Sequence, residues 1–167
     1  CRIDVELSSP EGQIHTSNIP EKFLRRSNVT REPVDCTWVL YADPGHRFYM
    51  RWENFVMSTP QDCSDSFMEL YDRTTATSDR RKQVCGMAAK EFKSVSNHVY
   101  LRVYAINPVL LPQFKTLFTI FTPGPCTSSQ FDCGDQACIP MSLKCNSIVN
   151  CNYSWDEQDC DERPPSK

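Results

Sequence analysis

Thr37-Trp38-Val39-Leu40-Tyr41 follows directly on Cys36 and is short, aromatic and β-branched. Four runs of the same make come after it: Arg47-Phe48-Tyr49-Met50-Arg51-Trp52, Phe67-Met68-Glu69-Leu70-Tyr71, Val99-Tyr100-Leu101-Arg102-Val103-Tyr104, and Phe114 to Phe121. Turn signals separate them, among them Asp43-Pro44-Gly45, Thr59-Pro60-Gln61-Asp62 and Asn107-Pro108. Short strands with such punctuation predict an all-β chain built around an antiparallel sandwich. Upstream, Ser17 to Pro33 carries Arg25, Arg26, Asn28 and proline and reads as an extended surface loop, and no long helix is expected. Downstream, Thr122-Pro123-Gly124-Pro125 is expected to end the sheet and act as a hinge, because proline withholds the backbone donor that a ladder requires.

Beyond that hinge the composition changes. Six of the ten cysteines, Cys126, Cys133, Cys138, Cys145, Cys151 and Cys160, fall there with few apolar residues between them. So small a unit has too little core to hold itself and must be stapled. The expected organisation is a sandwich over 1–121, a linker over 122–125, a cysteine-rich module over 126–160 and a tail over 161–167. An even number of cysteines at this density persists as bridges in an oxidising compartment, which places the chain outside the cell. Zinc is disfavoured, since no Cys-x-x-Cys pair occurs.

The first residue is Cys1, with no basic start, apolar core or small-residue cleavage site, so the chain reads as a mature fragment. Its most apolar region, Val99 to Phe121, is broken by Arg102, Pro108, Pro112 and Lys115, so no membrane span is expected within it. Before Cys126 there are 15 Lys and Arg against 14 Asp and Glu, and from Cys126 onward 3 against 7, so the net charge of −3 lies in the tail module. A nearly neutral body argues against a nucleic-acid partner. An acidic, cysteine-dense module suits hard cations or basic partners.

Residues 1 to 121 resemble a CUB domain, on a leading cysteine, Pro10-Glu11-Gly12-Gln13-Ile14, Cys36-Thr37-Trp38, Cys63 ahead of Phe67-Met68-Glu69-Leu70-Tyr71-Asp72, and Cys85-Gly86. The resemblance implies a jelly-roll-like sandwich with bridges Cys1–Cys36 and Cys63–Cys85. Residues 126 to 160 look like an LDL-receptor class A module, on Phe131-x-Cys133, Cys138-Ile139, and Cys151 followed by Asp156-Glu157-x-x-Cys160. The pairing this implies is Cys126–Cys138, Cys133–Cys151 and Cys145–Cys160.

The two modules in this order, with Cys145-Asn146, Asn150-Cys151 and Tyr153-Ser154-Trp155-Asp156-Glu157, look most like the second CUB domain and class A module of the neuropilin-and-tolloid-like (Neto) family. That resemblance implies a single-pass neuronal membrane protein, an auxiliary subunit of kainate-type ionotropic glutamate receptors. It further implies a synaptic place on the extracellular side of the plasma membrane, with a first CUB domain, a membrane span and a cytoplasmic tail outside this chain. Other readings are a CUB and class A region of a mosaic membrane protease or endocytic receptor, or of a CUB-rich protein that clusters nicotinic acetylcholine receptors.

Resemblance to class A modules also implies a calcium cage from the side chains of Asn146, Asn150, Asp156 and Glu157 and the carbonyls of Leu143 and Ile148. Two family carboxylates are amides here, so the side-chain charge of the cage falls from −4 to −2 and calcium should be held weakly if at all. A weak cage and a fold held by disulfides alone both stand. Leu143 replaces the family's usual tryptophan, which removes the aromatic face that would lie along a ligand lysine. A solvated acidic face of Asp132, Asp135, Asp159 and Asp161 is the plainer expectation for this module. In the CUB part, the family's three calcium carboxylates align with Ser58, Ser66 and about Ile106, with Asp62, Asp65 and Asn107 nearby, so no calcium is expected there.

His15, His46 and His98 sit in no catalytic array, and no nucleophile elbow exists, so an enzyme is not expected. Asn28-Val29-Thr30 and Asn152-Tyr153-Ser154 are glycosylation sequons at Asn28 and Asn152, the first on the better exposed segment. Lys22, Arg25, Arg26 and Arg31, and a second cluster of Arg80, Arg81 and Lys82, are the candidates for contact with a membrane-receptor partner, because loops on a rigid sandwich are where recognition tends to reside.

Overall fold

The computed structural model describes residues 1–57, 63–86, 88–158 and 160. Its strands are β1 (Arg2–Asp4), β2 (Glu11–His15), β3 (Val34–Tyr41), β4 (Arg47–Val56), β5 (Ser66–Asp72), β6 (Arg80–Val84), β7 (Phe92–Lys93), β8 (His98–Ala105), β9 (Gln113–Pro123), β10 (Gln130–Asp132) and β11 (Ala137–Pro140). A single α-helix among the described residues, α1 (Glu21–Thr30), lies between β2 and β3. All five expected runs are strands, the cores of β3, β4, β5, β8 and β9.

One sheet has the order β1-β3-β8-β5-β6, and the other β10-β11-β9-β4-β7 with β2 also on β9. The pairs are antiparallel except β1 with β3, which run parallel, Arg2 opposite Thr37. Alternation decides which faces meet. On β8, Val99, Leu101, Val103 and Ala105 are fully buried, while His98, Tyr100, Arg102 and Tyr104 are half-buried on the outer face. The inward set meets Phe48, Met50, Phe114 and Phe118 of the facing sheet. Trp38 sets its ring edge-on to Phe114, centroids 5.7 Å apart, and Phe48 meets Phe118 in the same manner at 6.2 Å. Aromatic pairs of this geometry contribute roughly 0.5–1.5 kcal/mol beyond their buried area.

Two expectations are corrected. The segment read as an extended loop holds α1, entered from Pro20 with Glu21 in its first turn and closed by Arg31 in the left-handed region at φ 63°. Phe23 and Leu24 pack on the core and Ser27 is buried. Its hydroxyl donates to the Glu32 carbonyl at 2.6 Å. Three inward residues within one and a half turns outweigh the polar composition, which lines the solvent face.

Nor does the sheet end at Thr122. β9 runs through Thr122 and Pro123, which pair with Cys138 and Ala137 of β11. Proline is tolerated there because the pairing of β9 with β4 stops at Phe121, opposite Arg47, so Pro123 has a neighbouring strand on one side only.

Candidate cation site and binding surfaces

The cysteine-rich segment is stapled by Cys126–Cys138, Cys133–Cys151 and Cys145–Cys160, while Cys1–Cys36 and Cys63–Cys85 lie in the sandwich. Its small core is shared. Cys133, Ala137, Ile139, Leu143 and Cys151 bury themselves against Tyr49 of β4 and Phe121 of β9. Leu143 is thus a packing residue that faces the sandwich. Gly134 stands at φ 84° beneath the Trp155 ring, which leaves no room for a side chain there.

The cage residues gather in the loop that follows. Asp156, fully buried, accepts the backbone N–H of Asn150 at 2.7 Å and of Cys151 at 3.1 Å. Glu157 accepts those of Asn146 at 3.1 Å and Ser147 at 2.6 Å. The Asn146 Oδ1 accepts from the Ile148 N–H at 3.0 Å. The Asn150 Oδ1 is buried with no hydrogen-bond partner. An orphaned amide oxygen beside a buried carboxylate that has no ion-pair partner among the described residues fits a hard, oxygen-seeking cation in donor chemistry. The charge is low, and among the described residues no three His, Cys, Asp or Glu side chains converge.

The two amide nitrogens point the other way. Asn146 Nδ2 donates to Glu11 Oε1 at 3.0 Å, and Asn150 Nδ2 to Glu11 Oε2 and to Thr119 Oγ1, both at 2.8 Å. Glu11 escaped the sequence reading, which took it only as part of the CUB start.

The acidic face expected on this module is not simply solvated. Asp132 accepts the Gly134 N–H at 2.8 Å, and Asp135 pairs with Lys93 of β7. Asp159 and Asp161 lie outside the described residues. Of the CUB positions weighed for calcium, Ser66 is buried and Ile106 exposed, the Asp65 carbonyl accepts the Ile106 N–H at 2.9 Å, and Asn107 caps a turn at Leu110. Ser58 and Asp62 lie outside the described residues.

The two basic clusters part company. Arg25 and Arg26 stand on the solvent face of α1, loosely facing Glu21 at 4.0 Å and Glu32 at 3.7 Å with side chains 72% and 65% exposed. Lys22 lies over the Phe23 ring and Arg31 caps the helix. Arg80, Arg81 and Lys82 lie on β6, an edge strand, where lysine and arginine discourage pairing with another chain. Arg80 is committed inward. Its Nη1 bonds Glu69 Oε2 at 2.9 Å, Gln83 adds a bond to that oxygen at 3.1 Å, and Arg102 and Tyr71 each hold Oε1 at 2.9 Å. Arg102 also forks onto Asp35 at 2.9 and 2.8 Å, and these bonds raise its pKa. Arg81 bonds the Ser78 carbonyl at 3.1 Å and faces Asp79. The Phe67 and Tyr104 rings stack at 5.0 Å beneath the Arg102 guanidinium.

The histidines are engaged separately. His15 bonds Gln13 at 3.0 Å, His46 turns to the Pro44 carbonyl, and His98 lies parallel to the Tyr100 ring and tilted against that of Tyr41. Asn28 lies on α1, exposed. Asn152 is exposed and accepts the Tyr49 hydroxyl through Oδ1 at 3.0 Å.

A disulfide-bonded sandwich that carries a small stapled module has the build of an extracellular protein-binding region. The family model of the CUB domain matches residues 1–114, and the chain belongs to that family; the low-density lipoprotein receptor domain class A matches residues 124–160. Among curated relatives, neuropilin and tolloid-like protein 2 of Mus musculus is 32% identical over 95% of this chain, and protein 1 of Mus musculus is 29% identical over 96%. The chain spans 30% of the length of each. The CUB1-EGF-CUB2 region of human MASP-1/3 shares the fold, with a TM-score of 0.51 and 11% identity over 78% of this chain and 57% of that one.

Proposed function

We propose that the chain is the partner-binding region of a single-pass membrane protein that acts as an auxiliary subunit of kainate-type ionotropic glutamate receptors at the synapse. The observation that carries this reading is the similarity to neuropilin and tolloid-like proteins through both modules in their order, across 95% of the chain. Contact falls to the sandwich, through the exposed face of α1 with Arg25 and Arg26. Arg80 and Arg81, the other candidates, are held by Glu69 and by the turn before β6 and serve the fold. A partner tethered in the same membrane needs only modest affinity, because tethering raises effective concentration to about the millimolar range. Calcium, where present, sits weakly in the loop of Asn146, Asn150, Asp156 and Glu157 and supports the module's shape.

The test is co-precipitation of a kainate-type receptor with the full-length protein, wild type beside Arg25→Glu/Arg26→Glu. We expect the wild type to capture the receptor and the double reversal to lose at least about tenfold in capture, as a reversed rim charge that repels its partner would. No capture by the wild type overturns the receptor reading, and undiminished capture by the reversal overturns the contact on α1. Asn28 is one turn from Arg25, so Asn28→Gln in the same assay separates shielding by a glycan from the effect of charge.

A further inference from the structure

We infer that four neighbouring residues across the outer face of the second sheet form a docking platform that seats the class A module through its cation loop without needing calcium. The row is read from the strand register. Glu11 of β2 is opposite Thr119 of β9, Thr119 is opposite Tyr49 of β4, and Tyr49 is opposite Lys93 of β7. Every member of this row bonds the module. Glu11 receives Asn146 and Asn150, Thr119 receives Asn150, Tyr49 donates to Asn152, and Lys93 pairs with Asp135.

The two amides are what the platform demands. A carboxylate at 146 or 150 has no proton to donate and would set a like charge against Glu11 at about 3 Å, where an amide places a donor on each Glu11 oxygen. The orientation of each amide is fixed locally. Asn146 Oδ1 is taken by the Ile148 N–H, so its nitrogen must face Glu11. Asn150 Nδ2 meets two acceptors, and turning the group over would aim its oxygen at both of them. Asn150 is 3% exposed and Thr119 4%, so the bond between them is buried, while the two bonds to Glu11 are partly buried and gain from the charge of their acceptor. The exchange of carboxylate for amide that weakens a calcium cage is the same exchange that makes this clamp. The inference rests on the register and the bonds and is independent of which receptor the protein meets.

The experiment uses the disulfide-intact chain in chelator, with amide hydrogen exchange of residues 146–151 and residual dipolar couplings of the two parts as readouts. The wild type should show one shared alignment, unchanged by added Ca²⁺. Asn150→Asp should lose the shared alignment and at least about tenfold in loop protection, as loss of a buried bond to a charged group predicts. Glu11→Gln/Asn150→Asp, which restores a donor facing a carboxylate with the roles exchanged, should recover both. If Asn150→Asp does not fold, Glu11→Ala, altered on the sandwich side, takes its place with the same expected losses. The inference is overturned if either single variant keeps wild-type alignment and protection, if the double variant recovers neither, or if the wild type aligns only when Ca²⁺ is present.

Discussion

Glu69 shows how much one side chain decides. A carboxylate on the outer face of a sheet would ordinarily be solvated, yet this one is 2% exposed and held by Arg80, Arg102, Tyr71 and Gln83. Removing one partner of a buried charged group costs more than the bond contributes, because the remaining charges keep their desolvation penalty. Glu69→Ala should therefore destabilise the sandwich by about 3 kcal/mol in urea unfolding. Arg25→Glu, on an exposed side chain, should stay within about 0.5 kcal/mol of the wild type. The two arginine clusters look alike in sequence, and it is the cross-strand position of Glu69 that commits Arg80 to the fold.

Among elements, α1 and β9 carry the lessons. The helix ends on Arg31 at φ 63°, with its N–H bonded to the Ser27 carbonyl at 2.9 Å. A left-handed closing residue costs any side chain with a Cβ energy that glycine avoids, so Arg31→Gly should stabilise the protein by roughly 0.5–1 kcal/mol, read as a rise in thermal midpoint. β9 is buried on both faces from Thr116 to Thr119, and Phe121 is buried as well. Its inner face meets the sandwich core through Phe118, and its outer face receives the class A module at Thr119 and Phe121. The signal was present in Thr116-Leu117-Phe118-Thr119-Ile120-Phe121, an unalternating run of the kind that marks a strand covered on both sides. The chain-breaking look of Pro123-Gly124-Pro125 masked it.

For the whole molecule, the junction between the two parts has a titratable group at its centre. Burial, with Glu91 nearby, pushes the Tyr49 phenol up to about 12 from its ordinary 10. Because the folded state holds this proton more tightly, Tyr49 contributes stability that is complete below about pH 10 and is lost as pH rises from about 10 to about 12. In thermal melts across that window the wild type should fall faster with pH than Tyr49→Phe, which has no phenol to ionise. Equal slopes would remove Tyr49 as the group responsible. Below pH 9 the variant should be weakened only by loss of the Asn152 bond, about 1 kcal/mol.

The sequence by itself determined what depends on neighbours along the chain. The strand runs are legible because alternation and β-branched residues act locally, and the oxidising compartment is legible because cysteine density is a property of composition. The families are legible because their motifs are short and ordered. What the tertiary structure alone decided are the matters of registry. Asn146 and Asn150 stand out in the sequence as amides at positions where the family has carboxylates, but their bonds to Glu11 join residues more than a hundred positions apart, which no local pattern encodes. Arg80 and Glu69 are set together by the pairing of β5 with β6, and Glu11, Thr119, Tyr49 and Lys93 form a row only once β2, β9, β4 and β7 lie side by side. The physical reason is that a hydrogen bond depends on tenths of an ångström between side chains, and strand register, fixed by the packed core, supplies that precision where local propensity cannot.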